Sequence, residues 1–429
     1  MKPGILITVL FILPFSQLLL TAQQAASQQA AAQPVVLSFG LKSAPSDLTV
    51  SLNGAPQTPV STASGIRNYR IEGSGTIRFS SQGYRSVEYS SEALPVKKGL
   101  LEIKLEPENG RLKLLGEYST GAQPKSVYFT PDGKRLFVPL LLQNGVDVFK
   151  VEQPSPGNPQ ARLVYERRLP GAAAGFVEAL IDVRRGELWF SNMEENKVYI
   201  FDLNTLELKK SMSSGGFLSK VIIQNPTGEL TLVSNWVSEN ISVFNSDTKE
   251  LLRHIRVGGI PRGMAFTPDG SLLYVAIYDE AVVEVVDMKQ NKVTARYRLY
   301  PGEGACRHVI YRDGKLYVSD MYRGTVNILN AADGKLLVSK RIGYNINTII
   351  LTPDGKHVFA SSRGKNNPVD YTRPGPEFGA VYMLDANDLT VIDRVWGRNQ
   401  PTGLGVSPDG KYMAFTDFLD ANLEFYEIK

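Results

Sequence analysis

Apolar residues along this chain come in short bursts separated by Gly, Pro, Asn and Asp. The stretch 261–287, PRGMAFTPDGSLLYVAIYDEAVVEVVD, shows the unit: MAF, a turn, LLYVA, a second turn, then VVEVVD. Runs of this length, bounded by turn residues and rich in Val, Tyr and Phe, predict β-strands buried on both faces. Glycines in matching contexts recur at Gly133, Gly186, Gly228, Gly270, Gly314, Gly355 and Gly410, with gaps of 53, 42, 42, 44, 41 and 55 residues. A period near 42 residues with strand content predicts a β-propeller of about four strands per blade.

The turns have their own chemistry. In TPDG, Pro pre-sets the φ of the second turn position and Asp fills the third. Gly then takes a left-handed conformation that a β-branched residue holds only with strain. A three-residue hairpin loop with a bulge is expected there. Seven such turns predict seven blades. The last copy, LGVSPDGKYMAFTDFLDANLEFYEIK, holds only three strands. Residues 111–120, RLKLLGEYST, match the missing fourth-strand slot and precede the first copy. The expected architecture is therefore an all-β, seven-bladed β-propeller over 111–429, closed by this N-terminal strand. Closure removes two sheet edges that would otherwise invite aggregation.

Residues 122–429 resemble the YVTN-type propeller repeats of surface-layer and YncE-like proteins. The resemblance rests on the pattern PxG–x–AFTPDG–x–LYVA–x–VxVxD, clearest at 261–287, 401–427 and 124–149. It implies a propeller fold, and it spans binding, structural and enzymatic relatives. Residues 35–107 break the repeat. VVLSFGL, DLTVSLNG, IRNYRIEG, GTIRFSSQGY, RSVEYSS and GLLEIKLEP predict a small antiparallel β-sandwich. This stretch resembles a PEGA-like domain through VSLNGAPQTP, SQGY and KGLLEIKLEP.

The first residues carry a positive start at Lys2 and an apolar run from Ile5 to Leu20, then small residues. That pattern reads as a signal peptide over 1–22, with a flexible Gln/Ala leader over 23–34, and implies an exported protein: periplasmic, at the cell-envelope surface or secreted. No later segment is apolar for long enough to span a bilayer. Cys306 is the single cysteine, so intramolecular disulfides and Cys-rich metal sites are excluded. Three scattered histidines, His254, His308 and His357, outline no metal site, and the sequence implies no cofactor.

Two copies are lengthened, at 151–165 and at 361–380 (SSRGKNNPVDYTRPGPEFGA). Propeller insertions often mark the binding face. The position eight residues before each anchor glycine gives Lys125, Glu178, Lys220, Arg262, Asn347 and Thr402, with Arg307 equivalent in the shorter fifth turn. The fold resemblance puts this position near one mouth of a central channel. Four cations and one carboxylate on a narrow rim repel one another unless an anion answers them. The second insertion adds Arg363, Lys365, Asn366, Asn367, Tyr371 and Arg373. Asn192, Asn235, Tyr278, Asp320 and Asp417 follow the second strands and read more simply as turn-closing residues. The reading favoured is a non-enzymatic binding or scaffold protein for an anionic envelope glycan, peptide or protein. A hydrolase or lactonase acting on a sugar-like acid needs a metal or paired carboxylates, and the rim offers Glu178 alone. Single-stranded nucleic acid is a third alternative, suggested by YncE-like relatives. Export and a net charge of only +4 weigh against it.

Overall fold

A computed structural model describes residues 35–429; the expected signal peptide and leader lie outside them. The described residues form strands and turns and no helix, so none is long and apolar enough to cross a membrane. Nine four-stranded sheets account for all the strands of the described residues.

Two sheets belong to the front region. One orders its strands Ser61–Ala63, Ile66–Glu72, Val36–Ala44 and Leu100–Lys104; the other runs Ala55–Gln57, Thr49–Leu52, Thr76–Ser80 and Val87–Ser90. Alternating residues from both, among them Leu41, Val50, Ile71, Ile77, Phe79 and Leu101, are buried in one shared core. The expected sandwich is not wholly antiparallel. Val36–Ala44 pairs in parallel with Leu100–Lys104, because the intervening chain forms the other sheet before returning.

Seven sheets follow in chain order. Six are simple up-and-down meanders, such as Pro261–Phe266, Leu272–Ile277, Val282–Asp287 and Lys292–Arg298. The seventh has only three consecutive strands, Pro401–Val406, Tyr412–Asp417 and Asn422–Ile428; its fourth is Leu112–Ser119, antiparallel to Asn422–Ile428. Segment 111–120 thus takes the place its pattern suggested. Strands two and three of each sheet are almost completely buried, since both faces meet neighbouring sheets. Val127, Leu136 and Phe149 of the first sheet share a core with Ala414, Leu423 and Phe425 of the seventh.

The repeated turn accounts for its own sequence. In the first copy the Gly133 amide donates to the Thr130 carbonyl at 2.8 Å, and Gly133 has φ +70°. Asp132 accepts the Thr130 hydroxyl at 2.6 Å and the Lys134 amide at 3.0 Å. The Arg135 amide donates to the Thr130 hydroxyl at 3.0 Å. The loop is four residues rather than the expected three, because this hydroxyl replaces one ladder acceptor.

Candidate functional site

The first strands of the second to seventh sheets all carry a register shift near their start. Such a bulge lifts one residue out of the ladder and re-aims its side chain. That residue is Lys220, Arg262, Arg307, Asn347 or Thr402 in the third to seventh sheets, and Lys125 stands in the corresponding place beside the Pro124–Leu140 bridge. In the second sheet the position belongs to Val177, since Glu178 already pairs with Ser191. The turn has four residues as in its counterparts, but Gly186 stands last in it rather than third, so the position eight before it falls one residue short of Val177. Glu178 is therefore displaced from the rim. It accepts the Tyr128 hydroxyl at 2.7 Å and lines a different cavity of about 600 Å³, with His308, Thr348 and many aliphatic side chains. His308 is packed there, and burial, then Arg307 and Arg262, lower its pKa to about 4.

A cavity of about 350 Å³ gathers Lys125, Lys220, Arg262, Arg307, Arg363, Asn366 and Tyr371. The insertion joins because Ala380–Asp385 returns to the sixth sheet beside His357–Ser362, leaving 363–379 as a loop over this end. The Gln400 amide donates to the Tyr371 carbonyl at 2.6 Å, and the Arg363 guanidinium donates to the Gln400 carbonyl oxygen. Arg373 stays outside: it is exposed and pairs with Asp370 at 3.5 Å. Asn367 shapes the loop by donating to the Pro374 carbonyl at 3.1 Å, and Lys365 pairs with Glu377 at 3.4 Å. The other insertion, 151–165, joins the third and fourth strands of the first sheet, where Gln153 meets Tyr412. It contributes nothing to this cavity.

A second tier around the cavity was not legible as such. The residue just after each second-strand partner position forms the column Leu141, Met193, Trp236, Tyr278, Met321, Arg363 and Phe418, and all seven line the cavity. Reading one residue beyond Asn192, Asn235, Asp320 and Asp417 would have found it; Tyr278 had been grouped with the wrong register. Two of those four close turns: the Asn192 side-chain oxygen accepts the Glu195 amide at 3.0 Å, and Asp320 accepts the Arg323 amide at 2.8 Å. Asn235 instead donates to Asn240 and Ser242, and Asp417 accepts the Arg398 amide and the Asn422 side chain.

The electrostatics are lopsided. Lys125, Lys220, Arg262, Arg307 and Arg363 are all buried, and among the described residues none forms an ion pair with a carboxylate. Aromatic faces substitute: Lys220 sits 4.5 Å from the Trp236 ring centre, Arg262 4.8 Å from the same ring, and Lys125 4.8 Å from Phe418. Trp236 and Tyr278 stack with centres 5.2 Å apart. Burial, then Arg307, Arg363, Arg262 and Lys220, hold the Lys125 pKa well below its ordinary value. Burial, then Arg262 and Arg307, do the same to Lys220, and burial is the main cause of the lowering at all three arginines. Guanidiniums keep their charge in proteins, so here that lowering measures electrostatic stress. The Trp236 indole N–H, Arg363 Nε and both polar atoms of the Asn347 amide have no partner. Among the described residues these buried polar atoms are left unsatisfied by the fold.

Among the described residues no group of three or more His, Cys, Asp or Glu stands close enough to hold a metal ion. Cys306 is buried, and burial pushes its thiol pKa well up. The fold and this cavity define a class: an all-β repeat protein with a deep cation- and aromatic-lined recess on its repeat sheets. No protein-family model matches the chain. Over 368 residues it is 33% identical to antigen Lp49 of Leptospira interrogans, covering 83% of this chain and 78% of that protein. The chain belongs to the family of that antigen.

Proposed function

We propose that the seven repeat sheets close into a seven-bladed β-propeller over 111–429, carrying a separate sandwich domain at 35–107, and that the protein is an exported binding or scaffold protein. Its basic cavity docks an anionic glycan, peptide or protein segment. Closure is supported by the core shared between the first and seventh sheets, and by two cavities that each draw residues from all seven sheets. The binding reading is carried by one observation: five buried cations with no carboxylate partner among the described residues. An unanswered buried charge costs several kcal/mol, roughly. A fold retains such a cluster most economically when a ligand supplies the countercharge. A relative described as an antigen fits an exported protein.

Hydrolysis of a sugar-like acid finds less support, because Glu178 is bonded to Tyr128 in the other cavity. The test is binding of an envelope extract to the wild type and to Arg262→Ala with Arg307→Ala, across a salt series. Retention that falls with salt and is lost in the variant supports the reading. Equal retention by both proteins rejects it.

A further inference from the structure

The surroundings of the cavity narrow the ligand further, on the premise that the cavity binds an anion at all. The positive charge without a carboxylate partner lies at depth, whereas exposed Lys365 and Arg373 of the overhanging loop are paired with Glu377 and Asp370. Outside it, exposed Glu194 directly follows Met193 and exposed Asp279 directly follows Tyr278. Exposed Glu303 accepts the Tyr322 hydroxyl at 2.6 Å, and Asp420 accepts the Asn399 amide at 2.6 Å. An extended polyanion lying across this end places its outer charges over those carboxylates, where like charges repel. A single anionic group reaching inward avoids them.

The walls specify what carries that group. Trp236, Tyr278, Phe418 and the two methionines, in the same tier as Arg363, form an apolar collar beside the guanidiniums. Beyond it lie Leu142, Val237 and Tyr322, each about two-thirds exposed (64%, 65% and 64%). Arg, Trp, Tyr and Met are the residues enriched at the centres of protein interfaces. The ligand therefore combines a compact planar anion, an apolar side chain beside it and a stem continuing outward. The last residue of a polypeptide has all three, with the carboxylate and side chain on one Cα. The guanidiniums of Arg262 and Arg307, which line the cavity, supply planar donors for its oxygens.

We propose that this cavity captures the carboxyl terminus of a partner polypeptide ending in an aromatic or large aliphatic residue, and that its acidic surround turns away extended polyanions. The test is calorimetric titration of the full mature chain with four probes. They are an acetylated peptide of three glycines ending in phenylalanine, the same peptide as its C-terminal amide, N-acetylphenylalanine, and a heparin octasaccharide. The free-acid peptide is expected to bind at least tenfold more tightly than the amide and than the octasaccharide, and several-fold more tightly than N-acetylphenylalanine. Trp236→Leu and Arg262→Met are each expected to weaken it about tenfold; Tyr278→Leu serves if Trp236→Leu does not fold. Neutralising the surround with Glu194→Gln and Asp279→Asn should leave the peptide unchanged and raise heparin binding several-fold.

Equal affinity for acid and amide overturns the proposal, and so does N-acetylphenylalanine matching the peptide. Binding of heparin alone also overturns it while leaving the anion-binding cavity standing. Binding of no probe, together with no salt-sensitive retention from envelope extract, removes both.

Discussion

Two buried charged clusters in this molecule have opposite balance. Where the front sheets meet the seventh repeat sheet, Lys104 reaches Glu424 at 2.7 Å and Glu117 at 3.1 Å, and Arg398 reaches Glu117 at 2.6 Å. Tyr426 donates to Glu424 at 2.7 Å, so the fully buried carboxylate is answered on more than one side. Burial works against the Lys104 charge, yet Glu424, Glu117 and Asp417 outweigh it and raise the pKa above its ordinary value. In the basic cavity burial outweighs what Glu178, Glu194 and the tyrosines offer, and every shifted cation moves down. The comparison teaches how to tell a structural ion cluster from a binding one. The first is complete within the chain; the second, on the proposed reading, is completed by a ligand.

The sharpest way to break that distinction is to remove one cation from each. Lys104→Met leaves Glu424 buried without its main partner, and it should cost about 3 kcal/mol or more by chemical denaturation. Arg262→Met relieves repulsion instead. It should raise stability by about 1–2 kcal/mol while weakening anion binding about tenfold. Losses of similar size in both variants would show that the cavity cations are structural after all.

A smaller effect sharpens the same point. Asn347 holds the same bulge position as Arg262 and Arg307 but lies behind the cavity lining, with neither amide atom partnered among the described residues, and Asn347→Asp supplies a carboxylate of the same shape. Thermal unfolding should show a gain of about 1 kcal/mol, and ligand affinity should fall. A loss of stability would place that side chain out of reach of the cations.

The pH dependence is subtler. A lysine with a lower pKa folded than unfolded binds fewer protons in the native state between the two values, so stability rises with pH across that window. Lys125 and Lys220 thus oppose folding below their folded pKa values, and the opposition fades as pH climbs toward the unfolded value of 10.5. Unfolding midpoints taken between about pH 7 and about pH 10 should show Lys125→Met and Lys220→Met flattening this contribution. Bound anion favours the protonated amines, so calorimetry in buffers of different ionisation heat should record proton uptake. The least change is expected at Arg373→Ala. Its exposed pair with Asp370 lies outside the cavity, and neither midpoint nor affinity should move beyond error.

Several features were readable from local chemistry alone. The TPDG and SPDG turns, the strands beside them and the pairing slot for residues 111–120 depend on φ preferences and on a two-residue alternation that act within a few positions. Lys125, Lys220 and Arg262 fall on one counted position because their turns carry glycine at the same place, and Arg307 does so once its shorter turn is allowed for. Glu178 does not occupy that position, because Gly186 stands one place later in its turn, and a one-residue slip in a strand moves every side chain to the other face. Arg373 was included for its type and its loop, neither of which tells where the loop folds.

What the amino-acid order determined by itself is the unit: a glycine-anchored hairpin, its strand lengths and its recurrence. Tertiary structure alone decided that Trp236, Arg363 and Phe418, far apart along the chain, share one recess, and that no acidic side chain among the described residues pairs with the cations there. Turn and strand preferences are short-range, whereas the charge balance of a cavity depends on which distant sheets pack together and in what register.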